Sequence, residues 1–365
     1  MNKLGVYVHI PFCNGKCAYC DFVSGVYDEE VKRKYFAELL REIGGFDFGG
    51  YEIDTVYFGG GTPSSVSLEY ISGVLDALRS NAFFSDEAEI TLECNPESFD
   101  EEKAKKYAET GINRLSFGLQ SATDSLLKKI GRLHDTSEFL AALDIAEKYF
   151  DNISADLMLG LPGQTKEDVI KTIDLLSGRK LKHISVYALK VEEGTPLASS
   201  GYATDEDYSA ELYDIAFGRL CEHDYRRYEV SNFAFPGFES KHNLKYWRRN
   251  DYVGFGVAAH SFVHDTRYFN TSDIDIYIRG THAVDRTYID PKSEEAAEET
   301  IMLALRTAEG LDLGEYARMF GRDLSEYKRG EIDSLAEYME VSDGHLRLTE
   351  KGFYLMNGLI VRLLD

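Results

Sequence analysis

Short apolar runs alternate with longer amphipathic stretches through the first two hundred residues, and this rhythm constrains the fold more than any other feature of the chain. Strand-like runs fall at Gly5–Ile10, Thr55–Gly59, Glu89–Cys94, Arg114–Leu119, Ile153–Leu159 and Ile184–Leu189. Helical patterns fill the gaps at Glu29–Ile43, Leu68–Leu78, Glu101–Ala108, Ser137–Lys148 and Lys166–Leu176. Strands separated by helices of this length predict βαβ units and a parallel sheet. Six strand–helix repeats leave two α/β architectures, an open doubly wound sheet or a partial barrel. In both, chemistry gathers at the carboxyl ends of the strands.

The unusual residues respect that rule. A cysteine trio follows the first strand, Gly59-Gly60-Gly61-Thr62-Pro63 the second and Glu93-Cys94-Asn95-Pro96 the third. Gln120 follows the fourth, Asp156 lies in the fifth ahead of Gly160-Leu161-Pro162-Gly163, and Lys190 ends the sixth. After a helical Asp205–His223 the alternation lapses into an aromatic- and glycine-rich Arg226–Phe269. Beyond Ser293 the pattern is helical, with an Asp343-Gly344 turn and a last helix at Glu350–Leu364. The expected division is a barrel over residues 1–225, a barrel-end segment over 226–290 and a mainly helical, winged-helix-like domain over 291–365.

A formal charge of −23, from 63 acidic and 40 basic residues, repels phosphate backbones and argues against a nucleic-acid partner. Met1–Pro11 lacks the pattern of a signal peptide, and no apolar run approaches the roughly 20 residues of a membrane helix. The expectation is a cytoplasmic protein with at most peripheral membrane contact.

The five cysteines are an odd set for disulfides, with Cys13, Cys17 and Cys20 spaced C-x3-C-x2-C and Cys94 and Cys221 far away. Cys94 and Cys221 are expected to be small buried residues. A structural zinc site closes its tetrahedron with four protein ligands. Three thiolates on a cubane [4Fe–4S] cluster instead leave one iron open to a small molecule. The competing reading is a zinc site completed by His9 or by a distant residue.

The run Tyr7-Val8-His9-Ile10-Pro11-Phe12-Cys13, with Cys17, Tyr19 and Cys20, resembles the radical S-adenosylmethionine (SAM) enzymes. Within that superfamily it is similar to the oxygen-independent coproporphyrinogen III oxidase group. The resemblance covers essentially the whole chain and implies a partial (β/α)6 barrel, a [4Fe–4S] cluster on Cys13, Cys17 and Cys20, and bound SAM. It also implies that Gly60, Gly61 and Thr62 receive the SAM amino group, since glycine lets backbone approach a ligand. Glu93, Gln120, Arg132 and Asp156 match polar SAM contacts of the group, with Arg132 suited to the methionine carboxylate. Tyr7 and Tyr19 match aromatic positions beside the cluster and adenine. His134 and His260 stay open between a functional role and local hydrogen bonding.

Two departures point to a heme-chaperone branch of the group. The oxidases carry a further cysteine two residues past the third, where this chain has Phe22, and an extension ahead of the first strand, which here starts almost at Met1. His242-Asn243-Leu244-Lys245-Tyr246-Trp247 matches the H-N-x-x-Y-W motif of that branch. Imidazole can ligate heme iron and flat rings can cover porphyrin faces, but the residues alone fit a packing motif with His242 bonded to a backbone carbonyl at least as well; it is the match to that branch that implies His242 is a partly exposed heme ligand. The resemblance further implies an electron donor such as flavodoxin or ferredoxin, respiratory heme acceptors and a homodimer. Coproporphyrinogen III decarboxylation and a zinc-stabilised interaction protein remain the alternatives.

Overall fold

The structure is a computed structural model that describes residues 1–179 and 181–364. Six parallel strands form its centre: β1 (Asn2–Ile10), β2 (Tyr51–Gly60), β3 (Phe83–Cys94), β4 (Arg114–Gln120), β5 (Asn152–Leu159) and β6 (His183–Ala188). The crossovers carry α1 (Glu29–Gly45), α2 (Leu68–Asn81), α3 (Glu101–Glu109), α4 (Asp124–Lys129), α5 (Thr136–Ala146) and α6 (Lys166–Gly178). Local sequence starts these helices where expected. Asp28 caps α1 by accepting from Val31 N, and capping boxes open α5 (Asp135, Glu138) and α6 (Thr165, Asp168).

The six strands pair in sequential order. A doubly wound sheet reverses its order at a switch point, so the open alternative is excluded and the partial barrel stands. Successive crossovers of one hand place the helices on one face and leave the other concave. Side chains alternate along each strand accordingly. Val6, Val8, Ile10, Val56, Phe58, Leu92, Leu115, Phe117, Leu157 and Val186 join one apolar core with α1, α2, α3, α5 and α6. The intervening positions, among them Thr91, Glu93, Arg114, Ser116, Ser154, Asp156, His183 and Ser185, are polar. This barrel is lined with polar groups that must bond one another or a ligand.

The expected barrel-end segment adds strands to both edges of the same sheet. After α7 (Glu206–Glu222), β8 (Asn232–Ala234) pairs antiparallel with β6, and β7 (Arg226–Arg227) pairs antiparallel with β8 at the outer edge. On the far edge, β9 (Tyr252–Phe255) runs parallel to β1, followed by β10 (His260–Val263), β11 (Thr266–Asn270) and β12 (Ala283–Tyr288). Between the two edges lies α8 (Lys241–Trp247), which holds the H-N-x-x-Y-W residues.

Residues beyond 293 build a second core around Ile301, Leu305, Tyr316, Leu346 and Leu363. It has a three-stranded sheet whose hairpin turns at Asp343 (φ 51°) and Gly344 (φ 79°). Two positive φ values in succession are the type I′ geometry that Asp-Gly favours. The final helical stretch is broken into Glu350–Tyr354 and Met356–Leu364. No helix among the described residues is long and apolar enough to cross a membrane.

Candidate cluster and cofactor site

The loop after β1 is pinned by backbone bonds before any side chain is considered. Cys13 N donates to Gly25 O and Gly25 N to Pro11 O, both at 2.9 Å, while Ala18 N reaches Ile130 O at 2.9 Å. Lys16 Nζ ties the loop down by donating to the carbonyls of Phe22 and Ser24. His9 lies below, buried, with Nε2 on Val23 O at 2.8 Å and Nδ1 on Tyr7 Oη at 3.1 Å. Both its nitrogens are engaged, so His9 does not complete a zinc tetrahedron with the trio.

One cavity of about 340 Å³ collects the rim. Cys13, Cys17, Tyr19, Cys20, Gly60, Gly61, Thr62, Glu93, Gln120, Arg132 and Asp156 all line it. Two of the expected residues do not. Tyr7 pairs in register with Tyr57, one layer deeper than Gly60, and stacks on that ring instead of facing the cavity. His242 belongs to the opposite end of the strands.

Glycine is obligatory in the second loop. A Cβ on Gly61 would lie 2.7 Å from Ile10 O and 2.8 Å from Phe12 O, the loop that carries the cysteines. The two loops are joined there, because Gly61 N donates to Ile10 O and Thr62 N to Phe12 O. Gln120 ends β4 at φ 71° beside a register shift between Gly118 and Gln120. A non-glycine residue held at positive φ at the edge of a cavity is strain of the kind stored at functional sites.

Burial dominates the electrostatics. Glu93 is pushed up to about 7 by burial, opposed by bonds from Tyr57 Oη (2.8 Å) and Gly60 N (3.2 Å). Burial also raises Asp156, against bonds from Ser185 and Ser116, and lifts the Cys13 and Cys20 thiols. A metal that binds these thiols must therefore displace protons. Burial works against the Arg132 charge, yet Tyr19, Cys17 and Glu97 outweigh it and raise its pKa. Arg132 donates to Asn95 Oδ1 and Cys17 Sγ, while its buried Nε has no partner among the described residues. A buried unpaired guanidinium N–H beside three free thiols fits an anionic ligand group such as a carboxylate. The donor set thus suits a thiolate-bound cluster with a small zwitterion beside it.

His242 departs from its expected exposure. It is 1% exposed, with Nδ1 on Thr55 Oγ1 at 2.8 Å and Nε2 on Tyr246 Oη at 2.7 Å. Glu89 caps α8 by accepting from Lys241 N and His242 N, both at 3.2 Å, and the Lys245 ammonium pairs with Asp54 at 2.8 Å. The motif therefore closes the amino end of the barrel. Of the lesser candidates, His134 is buried 3.6 Å from Glu97 behind Arg132, and His260 is exposed and stacks on Phe269. Cys94 is buried as expected, but Cys221 is exposed on α7, where its helix face meets solvent. Sequence reasoning placed Asn95 on the rim without a role and missed Gly118 and Tyr187, all of which line the cavity. Asn95 stands directly after Glu93-Cys94 on the rim, a position that marks it as a candidate.

Comparison with known proteins agrees with this geometry. The Radical SAM superfamily profile matches residues 7–176, and the HemN C-terminal domain profile matches residues 292–355. Heme chaperone HemW of Bacillus subtilis is 36% identical over 96% of both chains. Heme chaperone HemW of Lactococcus lactis is 32% identical over 98% of this chain and 96% of its own. The solved structure of coproporphyrinogen III oxidase (HemN) from Escherichia coli superposes with a TM-score of 0.86 at 22% identity, covering 99% of this chain and 90% of that one. That likeness establishes the fold, a radical SAM partial barrel with a helical C-terminal region. The chain belongs to the radical SAM superfamily, in the family many of whose curated members are named heme chaperone HemW.

Proposed function

We propose that this protein is a heme chaperone that binds a [4Fe–4S] cluster through Cys13, Cys17 and Cys20, holds SAM in the adjoining cavity, and delivers heme to respiratory acceptor proteins. The observation that carries the reading is end-to-end kinship with the Bacillus chaperone. Phe22 supports it. Its side chain is 62% exposed at the cavity mouth, where the oxidases are expected to carry another cysteine.

When bound, the cluster would supply an electron for the SAM sulfonium and an open iron for oxygen and nitrogen donors. The chain's own residues do the rest. Arg132 and Thr62 suit the methionine carboxylate and ammonium, and Glu93, Gln120 and Asp156 suit the ribose hydroxyls. Tyr19 and the cysteine loop wall the pocket against water. The electron comes from a small donor protein such as flavodoxin or ferredoxin.

Heme ligation by His242 requires that α8 leave the amino end of the barrel, because both ring nitrogens are engaged in the closed state. We place heme capture there, coupled to that opening, on a cytoplasmic protein that touches the membrane only peripherally and pairs as a homodimer. Anaerobic reconstitution with iron and sulfide followed by heme titration tests the reading. The expected product is a brown protein that takes up one heme per chain. A colourless protein holding one zinc contradicts it.

A further inference from the structure

Two of the three cluster thiols are joined by a single hydrogen-bonded arc. Arg132 Nη1 donates to Cys17 Sγ at 3.6 Å, and Arg132 Nη2 donates to Asn95 Oδ1 at 2.7 Å. Asn95 Nδ2 donates to Thr62 Oγ1 at 3.0 Å, and Thr62 Oγ1 donates to Cys13 Sγ at 3.6 Å. The carboxamide fixes the direction of every bond. A guanidinium has only donors, so it must face Oδ1, which leaves the amide N–H for Thr62. The Thr62 oxygen is then occupied as an acceptor, and its own proton points at the Cys13 sulfur.

The surroundings hold this arrangement in place. Asn95 N donates to Ser64 Oγ at 3.0 Å, and Asn95 O accepts from Ser98 N at 3.0 Å. A Cβ on Gly118 would stand 3.0 Å from both Arg132 Nη2 and Asn95 Oδ1, so the glycine in β4 makes room for their contact.

We propose that Asn95 is a positioning residue that aims one hydrogen-bond donor at each of two cluster thiolates, raising the cluster's reduction potential and fixing the methionyl end of the SAM site. Donors to ligand sulfurs withdraw electron density and favour the reduced state. Asn95 acts through Arg132 and Thr62, and the inference rests on the reading that the cysteine trio holds a cluster. Aspartate cannot replace it. A carboxylate has acceptors on both oxygens, so in Asn95→Asp it would turn the Thr62 hydroxyl toward itself and strip Cys13 of its donor.

The test is the midpoint potential of the cluster in the full-length reconstituted protein, followed by electron paramagnetic resonance without SAM. Thr62→Val should lower the midpoint in the wild-type background and have no further effect in the Asn95→Asp background, because there Thr62 no longer serves Cys13. Asn95→Leu, which removes both bonds while keeping the branching of the side chain, should also lower the midpoint and weaken SAM binding about tenfold, roughly the worth of one charge-assisted hydrogen bond. Equal Thr62→Val shifts in both backgrounds, or an unchanged midpoint in Asn95→Leu, would overturn the proposal. A wild-type protein that assembles no cluster would instead overturn the cofactor reading beneath it.

Discussion

The two ends of the barrel are built from similar residues and left in opposite states. At the carboxyl end, Cys13, Cys17 and Cys20 are free, Arg132 Nε lacks a partner among the described residues, and Glu93 is held near neutrality in a cavity. At the amino end, His242, Tyr246, Thr55 and Glu89 bond one another. Burial lowers His242 to about 3, with Lys245 and Arg114 adding to the effect. A polar group left unpaired in a buried site costs free energy that a ligand can return, whereas a satisfied group must first give up its bonds. The open end is therefore prepared for its ligands, and the closed end must move before it binds any.

The largest effect expected from this contrast is at the open end. Cys17→Ala should abolish cluster assembly, because two thiolates cannot hold a cubane with one open iron. Iron and sulfide analysis after reconstitution should read near zero, and a retained cluster would show that the trio is not the ligand set.

The next effect is a pH dependence. Glu93 with a pKa of about 7 is largely protonated at pH 6 and ionised at pH 8. With SAM held by the Glu93 carboxylate as proposed, its binding should tighten as pH rises, by up to about tenfold per unit below pH 7. The stability linkage has the opposite sign. Its folded pKa is raised from 4.5, so its contribution is full below 4.5 and is lost as pH rises through 7. Titration calorimetry at pH 6, 7 and 8 should show the slope in the wild type and a flat profile in Glu93→Gln. A slope that survives the substitution would assign the titration elsewhere.

At the closed end the effect is on stability. His242→Ala leaves Thr55 and Tyr246 without their partner and should cost about 2–3 kcal/mol in denaturant unfolding. It should also weaken or alter the heme spectrum while the cluster stays intact. An unchanged heme spectrum would remove His242 from heme binding and leave it in the frame of the barrel alone. The smallest effect separates the trio from the remaining thiols. Cys221→Ser on the exposed face of α7 should change stability by less than about 0.5 kcal/mol and leave iron content unaltered.

Much of the open end was legible in the sequence, because strand order and motif position together specify a rim. The alternation of short apolar runs with amphipathic stretches located all six central strands, and residues at or just past the ends of each share the cavity. Tyr7 failed that logic by depth, since it sits opposite Tyr57, three residues short of Gly60. The closed end was not legible. Nothing local in residues 241–247 says that this helix meets Thr55 and Glu89, nor that β9 returns to run beside β1. Those contacts join positions far apart along the chain, and polarity alone does not distinguish a buried satisfied histidine from an exposed ligand. Asn95 was legible as a rim residue, but what it does was not. Its role depends on Gly118 and Arg132 from another crossover, which only the folded sheet brings together.

The central claim, that this chain carries heme instead of making its precursor, is tested most directly by product analysis. Cluster-reconstituted protein given SAM, a reductant and coproporphyrinogen III, with heme titrated in parallel, should form no protoporphyrinogen IX and bind heme stoichiometrically. Sustained decarboxylation of coproporphyrinogen III by the same preparation would contradict the account.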